Sequence, residues 1–306
     1  MELYTTRGPF GRDDLGLVLP HEHVFVDLGP MEAANWRDAD PEAVVEVMAP
    51  EIERAREAGV TALVEATPEG VGRRVDIDLA VSEATAFPIV VPTGVYQEPS
   101  IPDWVREATE DELFEWLRED LTEGVDDTGV RAAWIKVSTD DDDPDGLSPD
   151  EEKVLRAAAR AGAETGALIG SHTLYGDLVH EQLDVLEDEG YTPEGFVWIH
   201  AQADDLDANL AVADRGAYVE YDWIGGEDQN DADYLDRIEA MVEAGHTDRL
   251  LLSQDRGWYD PSEPAGGEQR PYTYLPEEFL PKLRDRLDDA SVRRLTHDNP
   301  FDAYAR

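Results

Sequence analysis

Eight short apolar runs, separated by acidic stretches with helical spacing, constrain the fold of this chain more than any other feature. The runs cover 17–23, 60–66, 88–95, 132–138, 167–172, 195–200, 216–222 and 249–254. Helices are expected between and after them, at 41–58, 76–86, 110–122, 149–164, 176–189, 204–214, 231–244 and 274–289. The fourth helix shows the signals. Ser148 stands at the cap, Pro149 opens the first turn, acids follow, and Gly166 ends an Ala-rich run. Strands that alternate with helices run parallel, because each helix carries the chain back across the sheet. Eight such units predict an α/β fold, a closed (β/α)8 TIM barrel forming one domain over 1–306. The alternative, a doubly wound open sheet, is weakened because no G-x-G-x-x-G follows an early strand. Two connections are long, 96–109 and 255–273. The second is rich in Gly and Pro and is expected to form a flap or pocket wall.

Polar residues gather where these runs end. In "LPHEHVFVDL", His21 and His23 stand two apart, so in a strand they share a face about 6.6 Å apart. Lys136 lies in "IKVST", His172 in "GSHT", His200 in "VWIHA" and Asp255 in "LLSQD". Active sites of barrels form at the C-terminal ends of the strands. Imidazoles and a carboxylate converging there suit a divalent metal. Lys136 is one of only three lysines and sits in an apolar strand, where an unpaired ammonium is costly. Either an internal acid satisfies it, Glu65 being the candidate, or it is deprotonated and has added CO2. The resulting carbamate is an anionic ligand able to bridge two metals. His180 in a helix, His246 in a turn and His297 near the C-terminus read as ordinary structural histidines. The segment 141–152 matches a calcium-loop pattern at Asp141, Asp143, Asp145, Gly146 and Glu152. Ser148 at an apolar position and two stiffening prolines, Pro144 and Pro149, make it read as a solvated loop instead.

Composition excludes several classes of partner. With 71 acids against 25 bases the net charge is −46, so nucleic acid and anionic membranes are repelled. Seven Trp, 11 Tyr and the apolar runs separate the chain from acidic disordered proteins. A carboxylate-coated, lysine-poor but folded chain points to a salt-in halophile, where counterions screen self-repulsion. Cysteine is absent, which rules out disulfides, thiolate metal sites and a cysteine nucleophile. No apolar run approaches membrane-span length, and the start "MELYTTRGPF" has no leader character, so a cytoplasmic protein is expected.

Taken in order, "LPHEHVFVDL", "VEATPEGVGRRV", "VPTGVY", "IKVST", "GSHT", "IHAQADDLD", "RGAYVEYD", "LLSQD" and "DNPFDAY" resemble the phosphotriesterase family of the amidohydrolase superfamily. That family includes phosphotriesterase-like lactonases and phosphotriesterase homology proteins. The resemblance implies a binuclear metal-dependent hydrolase. His21, His23 and Asp255 would bind the more buried metal, and His172 and His200 the more exposed one. Carbamylated Lys136 and a hydroxide would bridge the pair. Zinc is the first expectation, with manganese, cobalt and iron also suited. The hydroxide would attack a lactone or carboxylic ester, with Asp255 relaying the proton and Tyr96 of "TGVYQEP" bonding a substrate oxygen. Phosphotriesters would be side substrates. The alternatives are a true organophosphate hydrolase and, in another class, a non-catalytic metal- or metabolite-binding barrel. A homodimer is usual for the family. In "YDWIG" Trp223 follows Asp222 where many lactonases of the family carry an arginine. Arg256 offers a substitute cation, Trp258 and Tyr259 are candidate pocket aromatics, and Arg73 and Arg74 read as loop-stabilising.

Overall fold

A computed structural model describes residues 1–31, 33, 35–141, 146–226 and 230–306. Each of the eight apolar runs forms a strand: β1 (Leu17–Phe25), β2 (Val60–Glu65), β3 (Ile89–Val90 and Pro92–Gly94), β4 (Trp134–Ser138), β5 (Leu168–His172), β6 (Phe196–Ile199), β7 (Tyr218–Tyr221) and β8 (Leu250–Leu252). Consecutive strands from β1 to β8 pair in parallel. Strand β3 is interrupted at Val91, and its two halves join β2 on one side to β4 on the other. The circuit closes between β8 and β1, where the Asp255 N–H donates to the His21 carbonyl at 3.3 Å and the His21 N–H to Ser253 Oγ at 3.0 Å. The result is a (β/α)8 barrel. A further strand, β9 (Gly257–Tyr259), continues the chain and pairs in parallel with the far end of β1.

Seven crossover helices lie near their expected positions: α1 (Pro41–Glu57), α2 (Val75–Thr85), α3 (Glu110–Thr122), α4 (Pro149–Thr165), α5 (Gly176–Asp188), α6 (Leu206–Asp214) and α7 (Asp231–Glu243). In α4 the Ser148 hydroxyl accepts from the Glu151 N–H and Gly166 closes the helix at φ 76°. The eighth expectation needs correction. A continuous helix over 274–289 does not form; a π-turn Leu275–Phe279 leads into Leu280–Arg284, and a new helix starts at Asp289. Pro281 has no N–H to return to the carbonyl four residues back, and the ladder is widened just before it. The break comes at Asp288, extended at φ −71° and ψ 161°, whose side chain caps the next helix by accepting from the Ser291 N–H. The two long connections also hold structure, a short helix Asp103–Glu107 in the first and β9 in the second.

Two apolar layers form the core. One lies between strands and helices, with Leu19, Val24, Ile135, Val137 and Val219 packed on residues such as Met48, Ile52 and Leu117. The other fills the barrel interior, with Val18, Val64, Trp134, Leu168, Val197 and Leu251 joined by Leu3 and Tyr304 from the two ends of the chain. Along β4 the alternation is regular: Trp134 and Lys136 face inward while Ile135 and Val137 face the helices. On β1 it is not. Val18 faces inward and Leu19 outward, so strict alternation would send His21 and His23 outward. The pairing with β2 slips between Leu19 and Glu22, around Pro20, and this bulge turns both histidines inward.

Among the described residues no helix is long and apolar enough to cross a membrane. The surface acids make a salt test direct. The screening length falls from about 10 Å at 0.1 M salt to about 3 Å at 1 M. A melt monitored by circular dichroism should therefore show the midpoint rising by at least ~10 °C from about 0.1 M to about 2 M potassium chloride. An unchanged midpoint would refute the salt-adaptation reading.

Candidate metal centre

The structure brings all six candidate residues to one place. His21, His23, Lys136, His172, His200 and Asp255 line a cavity of about 70 Å³ at the C-terminal mouth of the barrel. Tyr96 and Trp258 complete its polar and aromatic wall, and Val26, Leu28 and Val71 its apolar side. Ring-to-ring distances are short: 5.4 Å for His21–His23, 5.2 Å for His21–His200 and 4.4 Å for His172–His200. Two of the six leave regular strand geometry. His200 and Asp255 lie just beyond β6 and β8 at φ 65° and 53°, in the left-handed region that side chains disfavour.

Each imidazole has one nitrogen already committed. His21 Nδ1 lies 3.2 Å from Glu220 Oε2. His23 Nδ1 lies 2.7 Å from Thr67 Oγ1, whose own hydrogen goes to the Phe25 carbonyl at 3.0 Å, so His23 is the donor. His200 Nδ1 lies 2.8 Å from Asp222 Oδ1, and its backbone N–H donates to Asp222 Oδ2 at 2.9 Å. His172 Nε2 lies 2.9 Å from Asp141 Oδ1, and Tyr175 holds that loop by donating to the Asp141 carbonyl at 2.9 Å. A carboxylate or hydroxyl acceptor places the proton on the nitrogen that faces it. The second nitrogen of each ring is then left to hold a cation, a proton or a metal ion, on its lone pair. His23 Nε2 lies 3.1 Å from Asp255 Oδ1 and His21 Nε2 lies 3.8 Å from it. Lone pairs and a carboxylate oxygen at these distances repel unless a cation sits among them.

This donor set fits divalent metal. Ligand atoms of His21, His23 and Asp255 all lie within 4.8 Å of one another, as do those of His21, His200 and Asp222. In the second group Asp222 has both oxygens engaged, by His200 and by Gln202 Nε2 at 2.6 Å, so it serves to hold His200.

Electrostatics favour positive charge between the histidines and Asp255. Burial opposes the His23 imidazolium, yet hydrogen bonds to Asp255 and Glu65 outweigh it and push the pKa up to about 9. Burial likewise opposes the Asp255 carboxylate, but the His23 hydrogen bond and the nearby imidazoles hold its pKa well below the usual range. Burial, together with neighbouring positive charge, drives His21 well below its ordinary value and His172 down to about 4. Lys136 is 2% exposed, and burial lowers it to about 8 against the pull of Glu220 and Asp222. No carboxylate among the described residues is within ion-pairing distance of it. Glu65, the internal acid suggested by sequence, is committed elsewhere, accepting from the Val24 N–H at 2.5 Å and the Thr67 N–H at 2.9 Å.

Aromatic rings frame the mouth. Tyr96 lies edge-on to His172 at 5.3 Å, Trp258 edge-on to His23 at 5.3 Å and Trp223 tilted against His200 at 5.1 Å. Tyr259 stacks on Phe25 at 5.9 Å and so packs the wall of the segment. Beyond the small cavity the segment after Asp255 encloses a cleft of about 760 Å³, with Asp255 and Trp258 common to both. Arg73 is buried against Asp120 at 2.6 Å and Glu69 at 3.1 Å, and Arg74 donates to the Trp36 carbonyl at 2.5 Å, so both stabilise loops. His180, His246 and His297 stay outside the cavity; His297 is held by Asp298 at 2.7 Å and His246 by Asp214 at 3.2 Å.

Sequence reasoning missed the residues that hold the histidines. Thr67 and Glu220 carry no role in the sequence reading, Asp141 reads as part of a solvated loop, and Asp222 reads only as the residue before Trp223. Glu220 did leave a signal, an acid inside the apolar run "AYVEYD", but acids are too common in this chain for it to stand out. Asp141 belongs to the calcium-like segment; it faces His172 instead, while Asp143 and Asp145 lie outside the described residues.

The family model described as the phosphotriesterase family matches residues 1–304. A phosphotriesterase homology protein of Escherichia coli is 30% identical over 292 residues, covering 94% of this chain and 97% of that protein. An aryldialkylphosphatase of Saccharolobus solfataricus is 29% identical over 300 residues, covering 94% of each. A solved structure from the engineering of organophosphate hydrolysis activity out of a weak promiscuous lactonase template superposes with a TM-score of 0.87 at 28% identity, covering 100% of both chains.

Proposed function

From the premise that this chain belongs to the phosphotriesterase family and is a metal-dependent hydrolase, we propose that it opens a lactone or carboxylic ester at a two-metal centre, with phosphotriesters as side substrates. The observation that supports this reading is the committed nitrogen on each of four imidazoles around one cavity, which leaves the four remaining nitrogens and Asp255 to hold cations. His21, His23 and Asp255 would hold one cation and His172 and His200 the other. Carbamylated Lys136 would join them. A buried amine whose pKa falls to about 8 gives up its proton far more easily than an ordinary lysine, and the neutral form adds to CO2 with loss of one proton. When bound, zinc or a similar divalent pair supplies water activated near neutral pH and a Lewis acid for the substrate oxygen.

The protein's own groups do the rest. Asp255, held strongly ionised, passes a proton onward rather than keeping it. Tyr96 keeps its proton, because burial raises its pKa, and so can donate a hydrogen bond to a lactone or ester oxygen. The lactone reading draws support from the solved relative built on a lactonase template, and the aryldialkylphosphatase relative supports the organophosphate alternative. A cytoplasmic location and a homodimer complete the proposal.

The test is elemental analysis joined to a screen of lactones, esters and phosphotriesters at high salt. About two metals per chain are expected, with lactone turnover lost on chelation and restored by zinc, cobalt or manganese. Phosphotriesters as the best substrates would favour the organophosphate hydrolase. Bound metal without any turnover would return the non-catalytic barrel. A finer check concerns Asp141. Asp141→Ala frees the His172 ring, and chelator competition should show one metal bound about 10–100-fold more weakly with the melting midpoint unchanged.

A further inference from the structure

The cleft over the metal centre contains two guanidinium groups that form no ion pair with a carboxylate among the described residues. Arg256 and Arg270 both line it, with Trp223 and Trp258. In a chain with 71 acids and 25 bases, most arginines at the surface find acids; Arg156, for example, lies 2.6 Å from both Glu152 and Glu189. Neither Arg256 nor Arg270 has a carboxylate within ion-pairing distance among the described residues. The acids of the cleft do not answer them. Asp255 belongs to the metal centre. Asp260 Oδ1 accepts from the Ser262 N–H at 2.8 Å and hydroxyl at 2.6 Å within its own turn, and Glu263 and Glu268 are exposed.

Both arginines are also held in place. Arg256 donates to the Gly225 carbonyl, which ties the loop after β7 to the segment after β8. The Arg270 guanidinium carbon lies 4.2 Å from the centre of the Trp258 ring, whose edge meets His23. The Arg270 backbone pairs with Gly257 in both directions, at 2.9 and 3.2 Å. A guanidinium stacked on an indole keeps its in-plane N–H groups free to grip an oxyanion with two parallel hydrogen bonds. In molar salt, with a screening length of about 3 Å, only such direct contacts discriminate charge.

We infer that the substrate carries a carboxylate away from the scissile bond, and that Arg256 and Arg270 bind this group while the bond lies at the metal centre. The inference rests on the hydrolase reading and adds the substrate class. A singly charged carboxylate suits the cleft better than a doubly charged phosphate, because Asp255, Asp260, Glu263 and Glu268 line the same cleft.

The experiment compares two lactones of similar shape on the metal-loaded enzyme at high salt, γ-butyrolactone-γ-carboxylate and γ-valerolactone, which has a methyl in place of the carboxylate. The wild type should favour the carboxylate by about tenfold in kcat/KM, through KM, and Arg270→Gln should remove most of that advantage while leaving γ-valerolactone within about twofold. Equal turnover of the two lactones by the wild type, or equal losses on both in Arg270→Gln, would overturn the inference and leave the hydrolase reading standing. Calorimetric titration with glutarate and pentanoate decides the matter without turnover. Tighter glutarate binding that Arg270→Gln abolishes supports the inference even if no lactone is hydrolysed. Equal binding of the two acids, or tighter binding of inorganic phosphate than of glutarate, overturns it.

Discussion

An alanine at Lys136 is expected to lower kcat/KM of the metal-loaded protein by ~1,000-fold or more, equivalent to about 4 kcal/mol of transition-state stabilisation. Bound metal should fall from about two per chain to below one. The reason is the position of Lys136, facing inward between Trp134 and the four imidazoles. Its carbamate would be the anionic group shared by both cations. The fold should survive, because the side chain makes no ion pair among the described residues and an unpaired buried ammonium is a cost in the folded state. Circular dichroism melts and elemental analysis on the same sample separate the two effects. His172→Ala should behave alike in activity while losing mainly one metal. Wild-type turnover in either variant would sink the assigned roles.

Gly257→Ala is expected to destabilise the protein by about 3–5 kcal/mol, read as a shift of the urea midpoint. Gly257 sits at φ 99°, and a Cβ there would stand 1.8 Å from the His23 carbonyl oxygen and 2.3 Å from the Tyr272 hydroxyl. That hydroxyl donates to the same carbonyl at 2.6 Å. Both groups belong to the packed contact between β9 and β1, so neither can retreat cheaply. Displacing β9 would move His23 from one side and Arg270 from the other. Activity should therefore fall with stability. Gly166→Ala is the control: at φ 76° and ψ 12° it is in the left-handed helical region, its nearest contact is Arg306 Cβ at 3.9 Å, and the cost should stay near ~1 kcal/mol. A Gly257→Ala protein as stable as the wild type would contradict the close approach described here.

The strands were legible because burial on both faces demands continuous apolar runs, and those runs survive even in so acidic a chain. The first seven crossover helices were legible from caps and spacing, Ser148 and Gly166 being the plainest. The eighth is not continuous because Asp288 is extended and caps a new helix by accepting from the Ser291 N–H, a local break that apolar spacing over 274–289 does not register. The six polar residues at strand ends were legible because each interrupts or closes an apolar run. Their supports were not. Thr67 follows β2, Asp141 follows β4, and Glu220 and Asp222 share β7 and its end; a hydrogen bond between distant segments leaves no periodic trace in a single sequence.

By itself the sequence determined the eight-unit barrel, its direction, and the identity of the polar side chains at one mouth, since periodicity and burial are properties of short segments. Only the tertiary structure decided which way those side chains face. The bulge at Pro20 reverses the parity of β1, so His21 and His23 point into the barrel instead of toward the helices. Only the fold also decided which nitrogen each imidazole presents, because that depends on whether an acceptor from another strand or loop takes the ring's proton. Local sequence sets what a segment becomes; register and long-range hydrogen bonds set where its chemistry is aimed.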